Sequence, residues 1–225
     1  MTLQPITLYG HGPTRNPIKV AVLLEELGLP YVIKSIDYEK ELKFEPYISI
    51  NPNGRLPAIE DPNTGVKMFE SGAICEYLVE TYDTEGRLTY TTSPEKWLLK
   101  SWLHFQMSGQ GPYWGQLFWF KFFHEEKNLT SAITRYENEA KRVIGVIDAH
   151  LTKKGGRDEV RYLVGDKITY VDLAWLTWNT VIDMMFPEGT WDWKTEVPAF
   201  AKWHLAMLER PAVQKTLGLE AFQKK

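Results

Sequence analysis

Cysteine is nearly absent: Cys75 is the single one in 225 residues. A lone cysteine closes no internal disulfide, which sets aside the small cross-linked secreted domains. Positive charge is also scarce, with 26 Lys and Arg against 29 Asp and Glu and a formal charge of −3. No basic stripe is available to neutralise a run of phosphates, so nucleic acid is not an expected partner. Long apolar runs are missing as well. No window approaches the length that crosses a bilayer, and the opening "MTLQPITLYG" has neither the basic start nor the apolar core of a signal peptide. No membrane partner is expected, and the expected address is the cytoplasm. What remains is an ordinary globular composition, 44% hydrophobic and 24% charged. A chain of this length can bury a substantial core, as one large domain or two small ones.

The first 82 residues alternate strand-like and helix-like patterns. Ile6 to Tyr9 is a short β-prone run. After the breakers in "GHGPTRNP", Ile18 to Leu27 has helical apolar spacing, stopped by Gly28 and Pro30. "YVIKSID" follows as a second strand, giving a βαβ unit with a parallel pair. "FEPYISI" reads as a short helix or turn and "LPAIE" as a third strand. "DPNTG" is a turn, "VKMF" a fourth strand paired to the third, and Ser71 to Tyr82 a helix. The order is βαβαββα. Beyond Pro94, "EKWLLKSWLHFQMSG", "TSAITRYENEAKRVIGVIDAHL" and "VDLAWLTWNTVIDMM" carry amphipathic helical spacing with no strand alternation between them. The polar stretch "DTEGRLTYTTSP" holds the link. The expected division is an α/β domain over 1–85, a linker over 86–94 and an all-helical domain over 95–225, with no internal repeat.

Two motifs carry chemistry. In "RLPAIED", Pro57 stands directly before a buried strand, although proline lacks an N–H and restrains its predecessor. A cis Leu56–Pro57 bond would turn the backbone N–H and C=O of Leu56 outward, where an extended peptide can pair with them; a trans proline at a strand edge is the plainer alternative. In "FESGAICEYL", Ser71 is expected as the N-cap of a helix whose free N–H groups and positive dipole end suit a carboxylate. Glu70 suits the matching ammonium. A carboxylate and an amine on one carbon define an α-amino-acid end. A plain capped helix is the alternative.

The element order, "NPNGRLPAIED", "FESGAICEYL" and the helical second half together resemble a cytosolic glutathione transferase, a thioredoxin-like N-terminal domain followed by a helical C-terminal domain. "WLHFQMSGQGPYWGQ", "LVGDKITYVDLAWLTWN" and "RPAV" resemble the fungal class related to the globular domain of the yeast nitrogen-catabolite regulator, and its bacterial disulfide-bond-reductase relatives. The resemblance implies roles at matching positions. Leu56, before a cis Pro57, holds the backbone of the glutathione cysteine. Glu70 and Ser71 hold the γ-glutamyl amine and carboxylate, and Lys43 and Arg55 meet the glycyl carboxylate. It further implies glutathione as co-substrate, no metal, a homodimer, and a second substrate that is an electrophile, a peroxide or a disulfide.

A free thiol with a pKa near 8.5 is about 3% ionised at pH 7, so glutathione needs an activator. Thr14 and Asn16, between the first strand and the first helix, are the candidates. Each is a neutral donor that holds a thiolate with the helix dipole behind it, and relatives in this class have an asparagine matching Asn16, which makes it the first choice. Tyr9 is a rival because other classes use a tyrosine near this place, but it is also an ordinary strand aromatic. Cys75 reads as a small core residue, His11 as a solvated loop residue and His104 as a satisfied core histidine. Tyr113, Trp114, Phe118 and Trp119 are candidates for an apolar wall for the second substrate, with a core role as the alternative. Thr169 and Asp172 have capping-box spacing, which points to folding rather than chemistry. Arg135 and Arg142 fit either a ligand contact or a solvated face. The expected activity is glutathione-dependent disulfide exchange, peroxide reduction or detoxifying conjugation. The alternatives are a non-catalytic regulatory binding protein and a translation-associated scaffold of the same fold. Against the regulator stand the missing Asn/Gln-rich extension and the short "KKGGRDEVRY" segment.

Overall fold

The computed structural model describes residues 2–126 and 128–223. In chain order the elements are β1 (Ile6–Gly10), α1 (Arg15–Leu27), β2 (Tyr31–Ser35), β3 (Ala58–Asp61), β4 (Val66–Phe69), α2 (Ser71–Tyr82), α3 (Glu95–Phe105), α4 (Gly111–Phe118), α5 (Thr130–Lys153), α6 (Tyr170–Asn179), α7 (Ile182–Met185), α8 (Trp193–Glu196), α9 (Pro198–Leu208), α10 (Pro211–Leu217) and α11 (Glu220–Gln223). They form two units. One runs to Thr89 and takes up the chain again from Glu209; the other spans Tyr90 to Leu208.

The first unit is built on a four-stranded sheet in the order β2-β1-β3-β4. β1 and β2 run parallel, with Ile6 opposite Tyr31 and Gly10 opposite Ser35. The crossover between them is α1, whose apolar run from Val20 to Leu24 is buried and which ends where Gly28 turns left-handed at φ 65°. β3 is antiparallel to β1 and β4 antiparallel to β3, placing Tyr9 opposite Ala58 and Ala58 opposite Phe69. That register sets the geometry of the site. The segments leaving β1, entering β3 and leaving β4 all emerge at one end of the sheet, bringing the start of α1, Leu56 and Glu70 to the same edge.

Two segments outside the sheet bear on the sequence reading. "FEPYISI", expected as a short helix or turn, is a 3₁₀ turn over Tyr47–Ser49, because Pro46 and Pro52 bracket the segment and leave too few residues for an α-helical ladder. The stretch from Glu209 also packs on the first unit rather than with the other helices. Arg210 makes a two-pronged ion pair with Glu26 at 2.6 and 2.8 Å, and Lys215 Nζ reaches Glu25 at 2.7 Å. These charges lie far apart in the chain, where helical periodicity gives no hint of their pairing.

The second unit is all helix, as its periodicity requires. α3 and α4 are joined by a π-helical turn over Gln106–Gln110, and a second one, Trp119–Phe123, follows α4. Trp114, Trp175, Trp203 and Phe200 are fully buried in its core. The expected capping box is present at the start of α6. Asp172 is wholly buried and accepts hydrogen bonds from the Thr169 N–H at 2.9 Å, the Thr169 hydroxyl at 2.7 Å, the Leu163 N–H at 2.9 Å and the Trp203 indole at 3.0 Å.

Candidate functional site

The sheet edge of the first unit collects most of the residues singled out above. The Leu56–Pro57 bond is cis. The approach to it is fixed from behind: the Tyr47 hydroxyl at 2.6 Å and the Asn51 side-chain amide at 2.7 Å both donate to the Arg55 carbonyl. Leu56 packs its side chain against the cluster of Tyr9, Ile36, Leu42, Tyr47 and Ala58. Among the described residues neither its N–H nor its C=O has a hydrogen-bond partner, so a main-chain donor and acceptor are open to an extended ligand. Lys43 lies across the preceding turn and donates to the Asn53 carbonyl at 3.0 Å. Gly54 is required there, at φ 56°, since a Cβ would stand 2.9 Å from the Leu42 carbonyl oxygen and 2.7 Å from Lys43 Cδ. The Arg55 side chain is exposed beside it.

Glu70 holds the N-cap position of α2, and Ser71 is the first helical residue rather than the cap expected from sequence. The Glu70 carbonyl starts the ladder by accepting from Ile74 at 2.9 Å. Glu70 has φ 70° and ψ 109°, the one positive φ at a non-glycine residue among those described. Such a conformation costs about 1–3 kcal/mol, and strain of this kind concentrates where a ligand is gripped. It leaves the Glu70 carboxylate exposed and the Ser71 side chain buried.

Thr14 is the N-cap of α1, but its side chain caps nothing. Its hydroxyl donates to the His11 carbonyl at 2.7 Å. Asn16 lies in the first turn of α1 and is half-buried. The rivals are otherwise engaged. Tyr9 is 4% exposed, belongs to the core cluster and stands edge-on to Tyr47; burial, reinforced by Glu60, raises its pKa. Cys75 is buried and burial pushes its thiol up to about 12, which keeps it protonated and inert. His11 Nδ1 pairs with the Ser35 hydroxyl at 2.8 Å. His104 is exposed, not a core histidine, with Nδ1 2.8 Å from the Lys100 carbonyl.

Lys19 is the residue that sequence reasoning passed over. It is 1% exposed, and its Nζ donates to Ser71 Oγ at 3.0 Å. Burial pushes its pKa down to about 8, with Cys75 and Glu70 acting in the opposite sense. The signal was available: Lys19 is the one charged residue in the apolar run from Ile18 to Leu24, and it stands three residues after Asn16, on the same helix face. Holding a lysine at about 8 when an exposed one titrates near 10.5 costs about 3 kcal/mol at neutral pH. Below pH 8 both folded and unfolded chains carry the proton and the cost is full. Between pH 8 and 10.5 only the unfolded chain does, so stability rises with pH and the cost fades. Lys19→Met also loses a charged hydrogen bond worth about 1.5 kcal/mol. In urea denaturation the stability of Lys19→Met relative to wild type is expected to be greatest at pH 7 and to fall as the pH is raised toward 10.5.

In the second unit the four aromatics do not form one wall. Trp114 is fully buried and edge-on to Phe186, so it belongs to the core. Tyr113 is half-buried near Tyr136, with ring centroids 6.1 Å apart. Phe118 and Trp119 instead join Phe122 and Phe123, with Trp119 stacked on Phe123 at 6.0 Å. Arg142 is held by Glu139 through bonds of 2.8 and 2.9 Å, and Arg135 is exposed. No group of three or more His, Cys, Asp or Glu side chains able to hold a metal ion occurs among the described residues.

The chain is similar to known proteins along most of its length. Residues 4–80 match the glutathione S-transferase N-terminal domain and residues 114–217 a glutathione S-transferase C-terminal domain. The glutathione S-transferase-like protein OpS6 of Beauveria bassiana is 46% identical over 220 residues, 98% of either chain. The crystal structure of the glutathione transferase URE2P6 from Phanerochaete chrysosporium, in complex with oxidized glutathione, superimposes with a TM-score of 0.85 at 43% identity, covering 95% of this chain and 94% of that one. The transcriptional regulator URE2 of Saccharomyces cerevisiae is 34% identical across 96% of this chain and 68% of its own length.

Proposed function

The chain belongs to the glutathione S-transferase family, and on that premise we propose that it binds glutathione along the sheet edge of its first unit and activates the thiol for transfer. The observation that carries this reading is the convergence of three elements. They are the open backbone of Leu56 before the cis bond, the strained Glu70 beside Ser71, and the first turn of α1 with Asn16. Leu56 pairs with the cysteinyl backbone, Glu70 takes the γ-glutamyl amine, Ser71 takes the α-carboxylate, and Lys43 and Arg55 face the glycyl carboxylate. Asn16, with Thr14 as the lesser donor, holds the sulfur as thiolate at the positive end of α1.

The thiolate then attacks an electrophilic carbon, a hydroperoxide or the sulfur of a mixed disulfide. Neither Asn16 nor Thr14 removes a proton; they make the ionised form the stable one. The test is calorimetric titration with glutathione, together with the ultraviolet thiolate absorbance of the bound ligand against pH. Binding with the thiol ionising well below its free value near 8.5 supports the reading. Absence of binding at millimolar glutathione overturns it, while binding with the thiol left at its free value favours a regulatory binding protein, the reading to which the likeness to the URE2 regulator points, since Ure2p too has been solved in complex with glutathione.

A further inference from the structure

A buried ammonium is costly compared with an apolar side chain of the same length, and Met at position 19 would fill the space that Lys19 fills. Yet Lys19 is enclosed at 1% exposure with its Nζ 3.0 Å from Ser71 Oγ. It lies behind the residue assigned to one half of a zwitterion, the α-carboxylate of the γ-glutamyl end. The exposed carboxylate of Glu70, one residue earlier, is assigned to the other half, the amine. The two protein charges therefore have the order that the two ligand charges need. Arg15, on the preceding turn of α1, is exposed to solvent in part, and Cys75, which faces Lys19 from α2, stays protonated with its thiol at about 12. Arg15 is itself buried enough to lower its pKa, but Lys19 is the cation bonded to Ser71.

We propose that Lys19 is a positioning and specificity residue: it fixes the Ser71 hydroxyl and supplies the countercharge for the ligand's α-carboxylate, so the site selects an amine with a neighbouring carboxylate over an amine alone. This rests on the glutathione reading above. The experiment measures the affinity of the full chain for glutathione and for γ-aminobutyryl-cysteinyl-glycine, which keeps the amine and thiol and lacks the α-carboxylate. Wild type, Lys19→Met and Lys19→Gln are compared, with circular dichroism to verify folding; glutamine keeps a donor for Ser71 without the charge. Wild type is expected to prefer glutathione by about tenfold or more, and both variants to lose most of that preference by weakening glutathione alone. If wild type binds glutathione and either folded variant keeps the preference, Lys19 has no such role and the binding assignment stands without it. If wild type binds neither ligand, the glutathione reading itself fails and takes this one with it.

Discussion

Asn16→Ala is expected to weaken glutathione binding at pH 7 by only about fourfold, through proton linkage, and to raise the pKa of its thiol by about 1.5 pH units, the equivalent of one charge-assisted hydrogen bond of about 2 kcal/mol. Thr14 is the weaker candidate because of what its hydroxyl is doing. The Thr14 hydroxyl already donates to the His11 carbonyl at 2.7 Å, and turning it toward a sulfur would give up that bond. If activation brings the bound thiol to about 6.5, roughly three quarters is thiolate at pH 7; a rise to about 8 leaves roughly a tenth. The more basic thiolate is also the better nucleophile, with a Brønsted slope of about 0.4–0.5, which returns part of the loss. The rate at pH 7 should then fall only a few-fold, while the midpoint of the pH–rate profile moves up by the full amount. Thiolate absorbance against pH, for wild type, Asn16→Ala and Thr14→Val, separates the donors. A midpoint that moves in Thr14→Val and stays in Asn16→Ala would reverse the assignment.

The first unit gives up stability at the site and regains it elsewhere. Glu70 adopts φ 70° and Lys19 is sealed from water, and both lie at the end of the sheet where the ligand is assigned. Against these local costs stand the fully buried apolar residues of α1 and β1 and the ion pairs that tie Arg210 and Lys215 back to α1. Hydrophobic burial of about 25 cal/mol per Å² accounts for far more than either cost, which is why a sheet edge can carry both. A neutral, relaxed edge would be more stable and would have nothing with which to hold a zwitterion.

How much of this was legible depended on the range of the interaction. The βαβ crossover, the β3–β4 hairpin and the helical second unit were readable because periodicity and breakers act within a few residues; Gly28 and the "DPNTG" turn mark ends that the structure keeps. Pro57 was legible as an anomaly, a proline where a strand begins. The segment around Tyr47 was legible only as a short helix or turn, and the two flanking prolines decide it as a 3₁₀ turn. Ser71 was placed one position early, since the cap is set by the backbone angles of Glu70 and not by residue preference alone. The return of Arg210 to Glu26 went unread because its partner is distant in sequence, whereas Lys19 stood out as the lone charge in an apolar run and only its partner Ser71 was out of local reach. Trp114 illustrates the converse, an aromatic at helical spacing that is core and not a wall.

Asp172→Ala is expected to cost about 4 kcal/mol, the largest effect of any single change considered. The carboxylate accepts four hydrogen bonds from three segments: its own helix start through Thr169, the preceding chain through Leu163, and α9 through the Trp203 indole. Removing it strands two backbone N–H groups and an indole N–H inside the second unit, each at about 1–3 kcal/mol, and deletes the reciprocal cap of α6. Part of that loss is returned, because burial pushes the carboxyl's pKa up, a sign that the charge is itself expensive to enclose. Asp172→Asn should be nearly as damaging, since its amide turns a donor toward groups that are donors already. Urea denaturation followed by far-ultraviolet circular dichroism gives the stability, and glutathione titration well below the transition gives the site. Stability should drop while affinity holds, because every partner of Asp172 lies between Leu163 and Trp203 and every residue assigned to the ligand precedes Gly72. A loss below about 1 kcal/mol would mean that the three segments are held together by packing alone and that the buried carboxylate is incidental to the fold.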